Sequence, residues 1–203
     1  MEKKDLKPAG VFKYFEEICQ VPRPSKKEEK MIAYLKAFGA KHNLETKVDE
    51  AGNVLIKKPA TPGKENLQTV VLQSHIDMVC EKNNDVQHDF LTDPIETEID
   101  GEWLKAKGTT LGADNGIGVA TELAILADDS IEHGPLECLF TVDEETGLTG
   151  AFALKEGFMS GDILLNLDSE DEGEIFIGCA GGIDSVAEFT YCLLYTSPSP
   201  RDP

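Results

Sequence analysis

Basic residues are scarce in this sequence of 203 residues. Lysine and arginine together number 19, against 38 aspartate and glutamate residues, so the formal net charge is -19 at pH 7. A protein with this charge repels phosphate backbones and anionic lipid headgroups. We therefore expect neither nucleic acid nor a membrane surface among its partners. Scattered carboxylates usually lie on solvated faces, so only a few of them are expected to take part in chemistry.

The sequence also lacks paired cysteines and long apolar runs. Its five cysteines form an odd set without any Cys-x-x-Cys pair, which argues against a disulfide framework and against a thiolate zinc site. The start of the chain is charged and amphipathic, and no run approaches the length of a signal-peptide core or a membrane span. We expect a cytoplasmic protein with buried, reduced thiols. The cysteines are Cys19, Cys80, Cys138, Cys179 and Cys192.

Hydrophobic periodicity predicts one layered α/β domain, which the chain is long enough to form. Helical spacing predicts a helix around 11–18 that ends before Pro22, and a second helix after Ser25-Lys-Lys-Glu28, which has the spacing of a capping box. A third predicted helix covers 116–126. The predicted strands are two hairpins, 46–48 with 54–56 and 95–99 with 103–106, and three buried strands at 69–73, 136–142 and 163–167.

Histidine and carboxylate side chains follow the ends of the three buried strands. His75 comes just beyond the first strand, Asp143-Glu144-Glu145 follows the second, and Asp168 directly follows the third. Ligands of open α/β sheets collect beyond the carboxyl ends of the strands, so we expect these side chains to meet at one edge. Imidazole and carboxylate donors without thiolates are commoner at catalytic zinc, manganese or cobalt centres than at structural ones. The sequence therefore predicts a catalytic metal site.

Each of these motifs taken alone also has an ordinary structural interpretation. In His75-Ile-Asp77, Asp77 could fix the tautomer of His75, but a single His-x-Asp tripeptide is usually accidental. The glycine-rich segment 112–118 could form a tight turn or cradle a phosphate, although its spacing differs from the dinucleotide fingerprint and favours a metal-binding loop around Asp114. Asp143-Glu144-Glu145 could be a charged helix start, and Asp168 could belong to an acidic turn.

The combination of motifs resembles the M20 clan of co-catalytic metallopeptidases, and within it the aminoacyl-histidine dipeptidase family. The resemblance extends from about Gly10 to Phe189. No single motif is strong, but the set is highly specific. The motifs are Val71-Leu-Gln-Ser-His75-Ile-Asp77-Met-Val, Glu81-Lys-Asn-Asn-Asp85, Gly108-Thr-Thr-Leu-Gly-Ala-Asp114-Asn-Gly-Ile-Gly118, Glu144-Glu145-x-Gly147, Asp168-Ser-Glu, Gly173-Glu-Ile and Gly178-Cys-Ala-Gly-Gly182.

The resemblance implies a layered α/β/α catalytic domain of the aminopeptidase-like type, with a mixed sheet, that is truncated before an inserted lid domain. It also implies two divalent metal ions, with zinc expected and manganese or cobalt as alternatives. His75 and Asp168 would bind one ion. Asp114 would bridge to the second ion, which Glu145 would also bind. A further histidine of the family, which would complete the second metal site, has no counterpart in this chain.

Two further residues would complete the catalytic machinery that the resemblance implies. Asp77 would orient His75, and Glu144 would be the general base, an effect worth roughly 10²–10⁴-fold in rate. A carboxylate that bridges two cations roughly 3.5–4 Å apart helps to lower the pKa of a shared water toward about 7, which suits peptide hydrolysis. The implied substrates are Xaa-His and other dipeptides, and family members are expected to form homodimers through the lid domain.

The sequence departs from the family after Phe189. Residues 190–203 end in a low-complexity segment that looks like translated adaptor sequence. We expect residues 1–189 to be the N-terminal part of the catalytic domain and residues 190–203 to be a tail outside the family that is disordered or non-native. We also expect weak binding of the second metal and little turnover by the chain alone.

Two other functions fit the same residues. A related M20 deacylase would use the same metals on an N-acyl amino acid, although segments 114–118 and 178–182 favour the dipeptidase. A non-catalytic metal-binding module would keep the sheet without the chemistry. Glu144 argues against that module for the parent protein, since a binding module needs no general base.

Overall fold

The first 170 residues hold every helix and strand that the structure describes. The computed structural model describes residues 2–169, 171, 173–178, 181–182 and 185–190, and the chain forms two units, Met1–Glu170 and Asp171–Pro203. The expected boundary near residue 189 stays a prediction. The helices are a 3₁₀ turn Lys3–Asp5, α1 Ala9–Cys19, α2 Glu29–Lys41, α3 Ala113–Ala127 and α4 Thr149–Ala153. The strands are β1 Glu45–Val48, β2 Val54–Lys58, β3 Val70–His75, β4 Thr97–Asp100, β5 Trp103–Ala106, β6 Leu136–Thr141 and β7 Ile163–Asn166.

Five strands form one mixed sheet in the order β1-β2-β6-β3-β7. The hairpin β1–β2 pairs antiparallel, β2 pairs antiparallel with β6, and β6, β3 and β7 run parallel to one another. Strands β4 and β5 form a separate antiparallel hairpin. Both hairpins and the mixed α/β architecture confirm the sequence-based predictions. The parallel trio matters most for the site, because parallel strands bring their carboxyl ends to the same edge.

The core of the first unit lies mainly on one face of this sheet. Helices α1, α2 and α3 bury their apolar faces there, against alternate residues of β2, β3 and β6. A smaller cluster covers the opposite face, where Leu55, Val71 and Leu139 pack against partly buried side chains that follow α4. Burial on both faces explains why the central strands have continuous apolar runs.

Strand β7 is not the buried strand that its sequence predicts. Ile163, Leu164 and Leu165 are 39%, 48% and 49% exposed. The reason is topological, because among the described strands β7 lies at the edge of the sheet and pairs with β3 alone. An apolar run indicates a strand, but it does not distinguish a central position from an edge position.

The capping box predicted at the start of α2 is also wrong. Helix α2 begins after Glu28 without any side-chain cap. The Ser25 hydroxyl instead donates to Oδ2 of Asp77 at 2.7 Å. The carboxylate of Glu28 accepts from the backbone N–H of Lys26 at 2.9 Å and of Asp143 at 3.0 Å. Both side chains therefore face distant parts of the chain, because buried polar groups there need partners.

The described cysteines are free thiols, as predicted. Cys19 and Cys138 are buried and Cys80 is half-buried, while Cys179 and Cys192 lie outside the described residues. Within the part of the chain that the structure describes, no helix combines the length and apolarity that crossing a membrane requires.

Helix α3 carries a buried carboxylate where it crosses the sheet. Glu122 is fully buried, and neither of its oxygens makes a hydrogen bond of normal geometry with the described residues. Desolvation raises the pKa of Glu122 well above its ordinary value of 4.5, although Ser74 on β3 and Cys138 on β6 lie beside it and oppose the shift. The fold therefore favours the protonated form of Glu122.

We expect Glu122→Gln to raise the free energy of unfolding, and to raise it more at pH 8 than at pH 5. As the pH rises past the ordinary pKa of glutamate, the unfolded chain releases its proton while the folded chain keeps it, so wild-type stability falls with pH. Glutamine has no such dependence, and the gain at pH 8 should be about 1–3 kcal/mol. Urea denaturation in the presence of a chelator measures both values. An equal effect at the two pH values would contradict the prediction.

Candidate metal centre

The carboxyl ends of three parallel strands bring the candidate ligands together. His75 is the last residue of β3 and lies in register with Thr141, the last residue of β6. Asp143-Glu144-Glu145 follows β6, and Asp168 follows the end of β7 by two residues. His75 thus lies within its strand rather than beyond it, since the strand is longer than its apolar run predicts. These three segments meet at one sheet edge, and the start of α3 brings Asp114 to them.

The imidazole of His75 lies at the centre of this cluster and is 1% exposed. Its Nε2 atom lies 3.0 Å from Oδ1 of Asp114 and 3.6 Å from Oδ1 of Asp168. Burial alone would lower the pKa of His75, but the carboxylates of Asp77, Asp168 and Asp114 outweigh it and raise the pKa to about 9. The electrostatic potential at this nitrogen therefore favours a positive charge.

Asp77 is buried behind His75 and joins several segments. Its Oδ1 atom lies 3.3 Å from Nδ1 of His75 and accepts from the backbone N–H of Glu144 at 3.0 Å. Its Oδ2 atom accepts from the backbone N–H of Glu145 at 3.2 Å and from the Ser25 hydroxyl at 2.7 Å. Burial alone would raise the pKa of Asp77, but His75 and these donors lower it to about 2. The carboxylate therefore remains ionised and holds the two glutamates in place.

The loop before α3 has an irregular backbone that brings Asp114 to His75. Gly112 has a left-handed conformation with φ of 68°, which favours glycine because a Cβ is strained there. The Asp114 and Asn115 torsions are not helical, so the regular helix begins after them. A Cβ at Gly112, Gly116 or Gly118 would also approach neighbouring atoms too closely, so steric needs explain these glycines without a bound phosphate.

Asn115 is a site residue that the sequence-based reasoning missed. It is 3% exposed, and its Nδ2 donates to Oδ1 of Asp168 at 2.6 Å and to the carbonyl of Leu167 at 2.9 Å. A Cβ on Gly118 would overlap its Oδ1 atom, so that glycine leaves room for the amide. Asn115 therefore connects the Asp114 loop to the Asp168 loop. The signal in the sequence was a polar residue between Asp114 and a glycine at a helix start.

The two glutamates after β6 both lie within reach of a cation at His75. One ligand atom each of His75, Asp114 and Glu145 lie within 4.8 Å of one another, and the same holds for His75, Glu144 and Asp168. Burial raises the pKa of both Glu144 and Glu145 from the ordinary range. The structure thus brings five predicted site residues together in two overlapping groups that share His75, and the sixth, Asp77, contacts His75 from the buried side.

The donor set and its spacing fit a divalent metal ion. Tetrahedral ligands about 2.1 Å from zinc lie roughly 3.4 Å from one another. The distances from Nε2 of His75 to Asp114 and Asp168 are 3.0 and 3.6 Å, on either side of that value. Imidazole and carboxylate donors also suit zinc, manganese and cobalt. The residues present are therefore able to hold a metal ion with little rearrangement.

A third acidic group, formed by Glu28, Asp77 and Asp143, has a different character. All three residues are buried, and their nearest carboxylate oxygens lie within 4.8 Å. Each carboxylate accepts a hydrogen bond from a backbone N–H or a hydroxyl group. For example, the Thr146 hydroxyl donates to Oδ1 of Asp143 at 2.5 Å. This group therefore fastens the segment before α2 to the loop after β6.

The remaining histidines stay outside the cluster, as predicted, but they are not fully exposed. His42, His88 and His133 are each half-buried. His42 stacks on Phe38 with ring centroids 4.4 Å apart, and His88 packs against Phe90 at the same distance. The packing of His42 and His88 against phenylalanine rings makes these two residues poor candidates for a metal ligand.

Comparison with known proteins identifies a family and several similar proteins. Residues 71–189 match the model of peptidase family M20/M25/M40. The cytosol non-specific dipeptidase of Escherichia coli (strain K12) is 54% identical over 183 residues, which are 90% of this chain and 38% of that protein. The chain therefore spans well under half the length of this relative.

Solved structures agree with this match. Aminoacylhistidine dipeptidase from Vibrio alginolyticus superposes with a TM-score of 0.86 at 56% identity, over 88% of this chain and 36% of that chain. Aminopeptidase PepT from Bacillus cereus superposes with a TM-score of 0.68 at 26% identity, over 80% and 43% of the two chains. The family model covers more than half of the sequence, and the mixed sheet matches in structure, so this protein belongs to peptidase family M20/M25/M40.

Proposed function

We propose that this chain is the metal-binding part of a dipeptidase that hydrolyses Xaa-His and other dipeptides. The observation that carries the proposal is the convergence of His75, Asp114, Glu145 and Asp168 at one sheet edge, with Glu144 beside them. The names of the E. coli and Vibrio relatives, a non-specific dipeptidase and an aminoacylhistidine dipeptidase, support the substrate class. The E. coli name also supports a cytosolic location.

In this proposal two divalent metal ions occupy the site. His75 and Asp168 would hold the first ion and Glu145 the second, with Asp114 shared between them. When bound, such ions act as Lewis acids that activate water and polarise a carbonyl oxygen. Zinc is the expected metal, with manganese and cobalt as alternatives, because all three accept imidazole and carboxylate donors. The homodimer and the lid domain implied by the resemblance remain predictions for the whole protein.

Glu144 is the general base in this proposal. Its carboxylate takes a proton from the attacking water and returns it to the amine of the departing amino acid. Burial raises the pKa of Glu144 from its ordinary value, which brings its proton affinity closer to that of an effective base at neutral pH. The backbone N–H of Glu144 donates a hydrogen bond to Asp77, which fixes the position of the backbone that carries the Glu144 side chain. Asp77 also keeps the His75 ring in one orientation.

We expect Glu144→Gln to leave metal binding within about twofold and to lower dipeptide hydrolysis by roughly 10²–10⁴-fold. Glutamine keeps the size and polarity of the side chain but cannot accept the proton. Hydrolysis of an Xaa-His dipeptide is followed by chromatography with the chain in excess, so that slow turnover is visible. Co²⁺ binding is measured on the same samples.

Glu145→Gln is the matched control, because it makes the same change one residue further along. It should weaken Co²⁺ binding as well as hydrolysis, since Glu145 is a ligand in the proposal. Full hydrolysis by Glu144→Gln would contradict the assignment of the base. Faster hydrolysis of acetyl-amino acids than of dipeptides by the wild-type chain would instead favour the deacylase.

We expect Asp77→Asn to lower metal affinity by about 10–100-fold, the usual effect of losing a partner of a metal-bound histidine. An asparagine amide group would also face the backbone N–H groups of Glu144 and Glu145, which need an acceptor. Isothermal titration calorimetry with Zn²⁺ measures the affinity.

Asp49→Asn is the control for Asp77→Asn. Asp49 also accepts several backbone hydrogen bonds, from Ala51, Gly52 and Asn53, but it does so in the β1–β2 turn. The Asp49→Asn variant should have a lower free energy of unfolding than the wild type and the same affinity for Zn²⁺. Equal affinities of Asp77→Asn and the wild type would contradict the role of Asp77.

A further inference from the structure

Arg23 lies beneath the metal centre, and the proposed mechanism does not use it. It belongs to the connector, which we define as residues 20–28 between α1 and α2. The whole residue is only 2% exposed. A guanidinium keeps its charge and its five N–H donors even when it is buried, so it needs acceptors that are held in fixed positions.

The acceptors of Arg23 are backbone carbonyls of two ligand-bearing loops. Its Nη1 group donates to the carbonyl oxygens of Ile76 at 3.3 Å and of Asp77 at 3.2 Å. Its Nη2 group donates to the carbonyl oxygen of Gly112 at 2.6 Å. Ile76 directly follows His75, and Gly112 lies two residues before Asp114. One planar group therefore spans the two segments that carry these candidate ligands.

The packing around the guanidinium shows that the segment carrying Asp114 leaves room for it. A Cβ on Gly112 would lie 2.6 Å from Nη2 of Arg23, and a Cβ on Gly116 would lie 2.7 Å from the same atom. Both distances are too short for real contacts, and the buried, hydrogen-bonded guanidinium has little freedom to move. The absence of side chains at these two positions thus makes the space for Arg23.

Within the part of the chain that the structure describes, carbonyl oxygens hold Arg23 rather than an ion pair. Among the described residues, none of the carboxylates lies within salt-bridge distance of it. Its bonds are directional contacts to carbonyl oxygens, which a planar fork of donors satisfies better than a point charge. Ser25 and Glu28 of the same connector bind Asp77 and the backbone of Asp143. The connector therefore contacts every ligand-bearing loop except the one after β7.

We propose that Arg23 is a positioning residue of the metal centre, which sets the separation between His75 and Asp114 through the carbonyls of Ile76, Asp77 and Gly112. The inference rests on the proposed function, since it assumes that these two residues bind metal. The carbonyl oxygen of Asp77 also lies 3.2 Å from Nδ1 of His75, so Arg23 and the imidazole meet at the same atom. Loss of the guanidinium should therefore change both the spacing and the ring orientation.

The test compares Co²⁺ binding by the 203-residue chain and three variants. Arg23→Met removes the donors and keeps a stem of similar length, and Arg23→Lys keeps the charge without the planar fork. Lys58→Met is the matched control, because Lys58 is 7% exposed and donates to the carbonyls of Ile125 and Asp128 at 3.0 and 2.7 Å. These carbonyls lie at the opposite end of α3 from Asp114. Circular dichroism and urea denaturation identify conditions in which each variant is folded.

We expect Arg23→Met to bind Co²⁺ at least about tenfold more weakly than the wild type, in the range seen when supporting groups of a metal site are removed. Its visible absorption spectrum should also change, because the ligand geometry changes. Arg23→Lys should show a smaller loss with the same spectral trend, and it decides the test if Arg23→Met does not fold. Lys58→Met should lose stability but keep the wild-type affinity and spectrum.

The outcomes separate this inference from the function on which it rests. Failure of the wild-type chain to bind Co²⁺ would contradict the proposed function and the inference with it. Wild-type affinity and spectrum in the folded Arg23 variants would overturn the inference alone. A loss of affinity as large in Lys58→Met as in Arg23→Met would also overturn it, because general destabilisation would then explain the effect.

Discussion

The arrangement of the site depends on the contacts of one buried group, the carboxylate of Asp77. It accepts hydrogen bonds from the connector before α2 through Ser25, and from the loop after β6 through the backbone of Glu144 and Glu145. It also faces the inner nitrogen of His75 at 3.3 Å. Few side chains could do this, because the position requires a charged acceptor that stays ionised while buried. The donors around it satisfy that requirement and lower its pKa to about 2.

Two features of the fold position Asp77 and its neighbours. Parallel pairing of β6, β3 and β7 brings three strand ends to one edge. The N-terminal helices then cover one face of the sheet, and the connector between them reaches that edge. Arg23, Ser25 and Glu28 contact the loops there through hydrogen bonds. A segment distant in sequence from every candidate ligand thereby determines how closely the ligand loops approach.

Much of this fold could be predicted from the sequence, because its signals are local and repetitive. Helices α1 and α2, both hairpins and the central strands follow from apolar periodicity and turn residues. His75, Asp114, Glu144 and Asp168 could be singled out because polar side chains at strand ends and in a glycine-rich loop are unusual. That reasoning identified the residues that come together, and it left their individual roles as proposals.

The errors share one physical cause, which is dependence on partners distant in sequence. Ser25 and Glu28 have capping-box spacing, but buried groups at Asp77 and Asp143 offer them better partners. The apolar run of β7 indicates a strand, yet only the strand order reveals that it lies at an edge. Asn115 and Arg23 were missed because their hydrogen-bond acceptors lie on other loops, and hydrophobic periodicity does not predict which loops are in contact.

The most direct test of the metal centre is anomalous diffraction at the zinc edge from crystals of this chain grown with Zn²⁺. The account predicts a peak about 2.0–2.2 Å from Nε2 of His75 and from carboxylate oxygens of Asp114 and Asp168. A fully occupied zinc ion bound elsewhere, with His75 still paired to the empty carboxylates, would contradict the central claim.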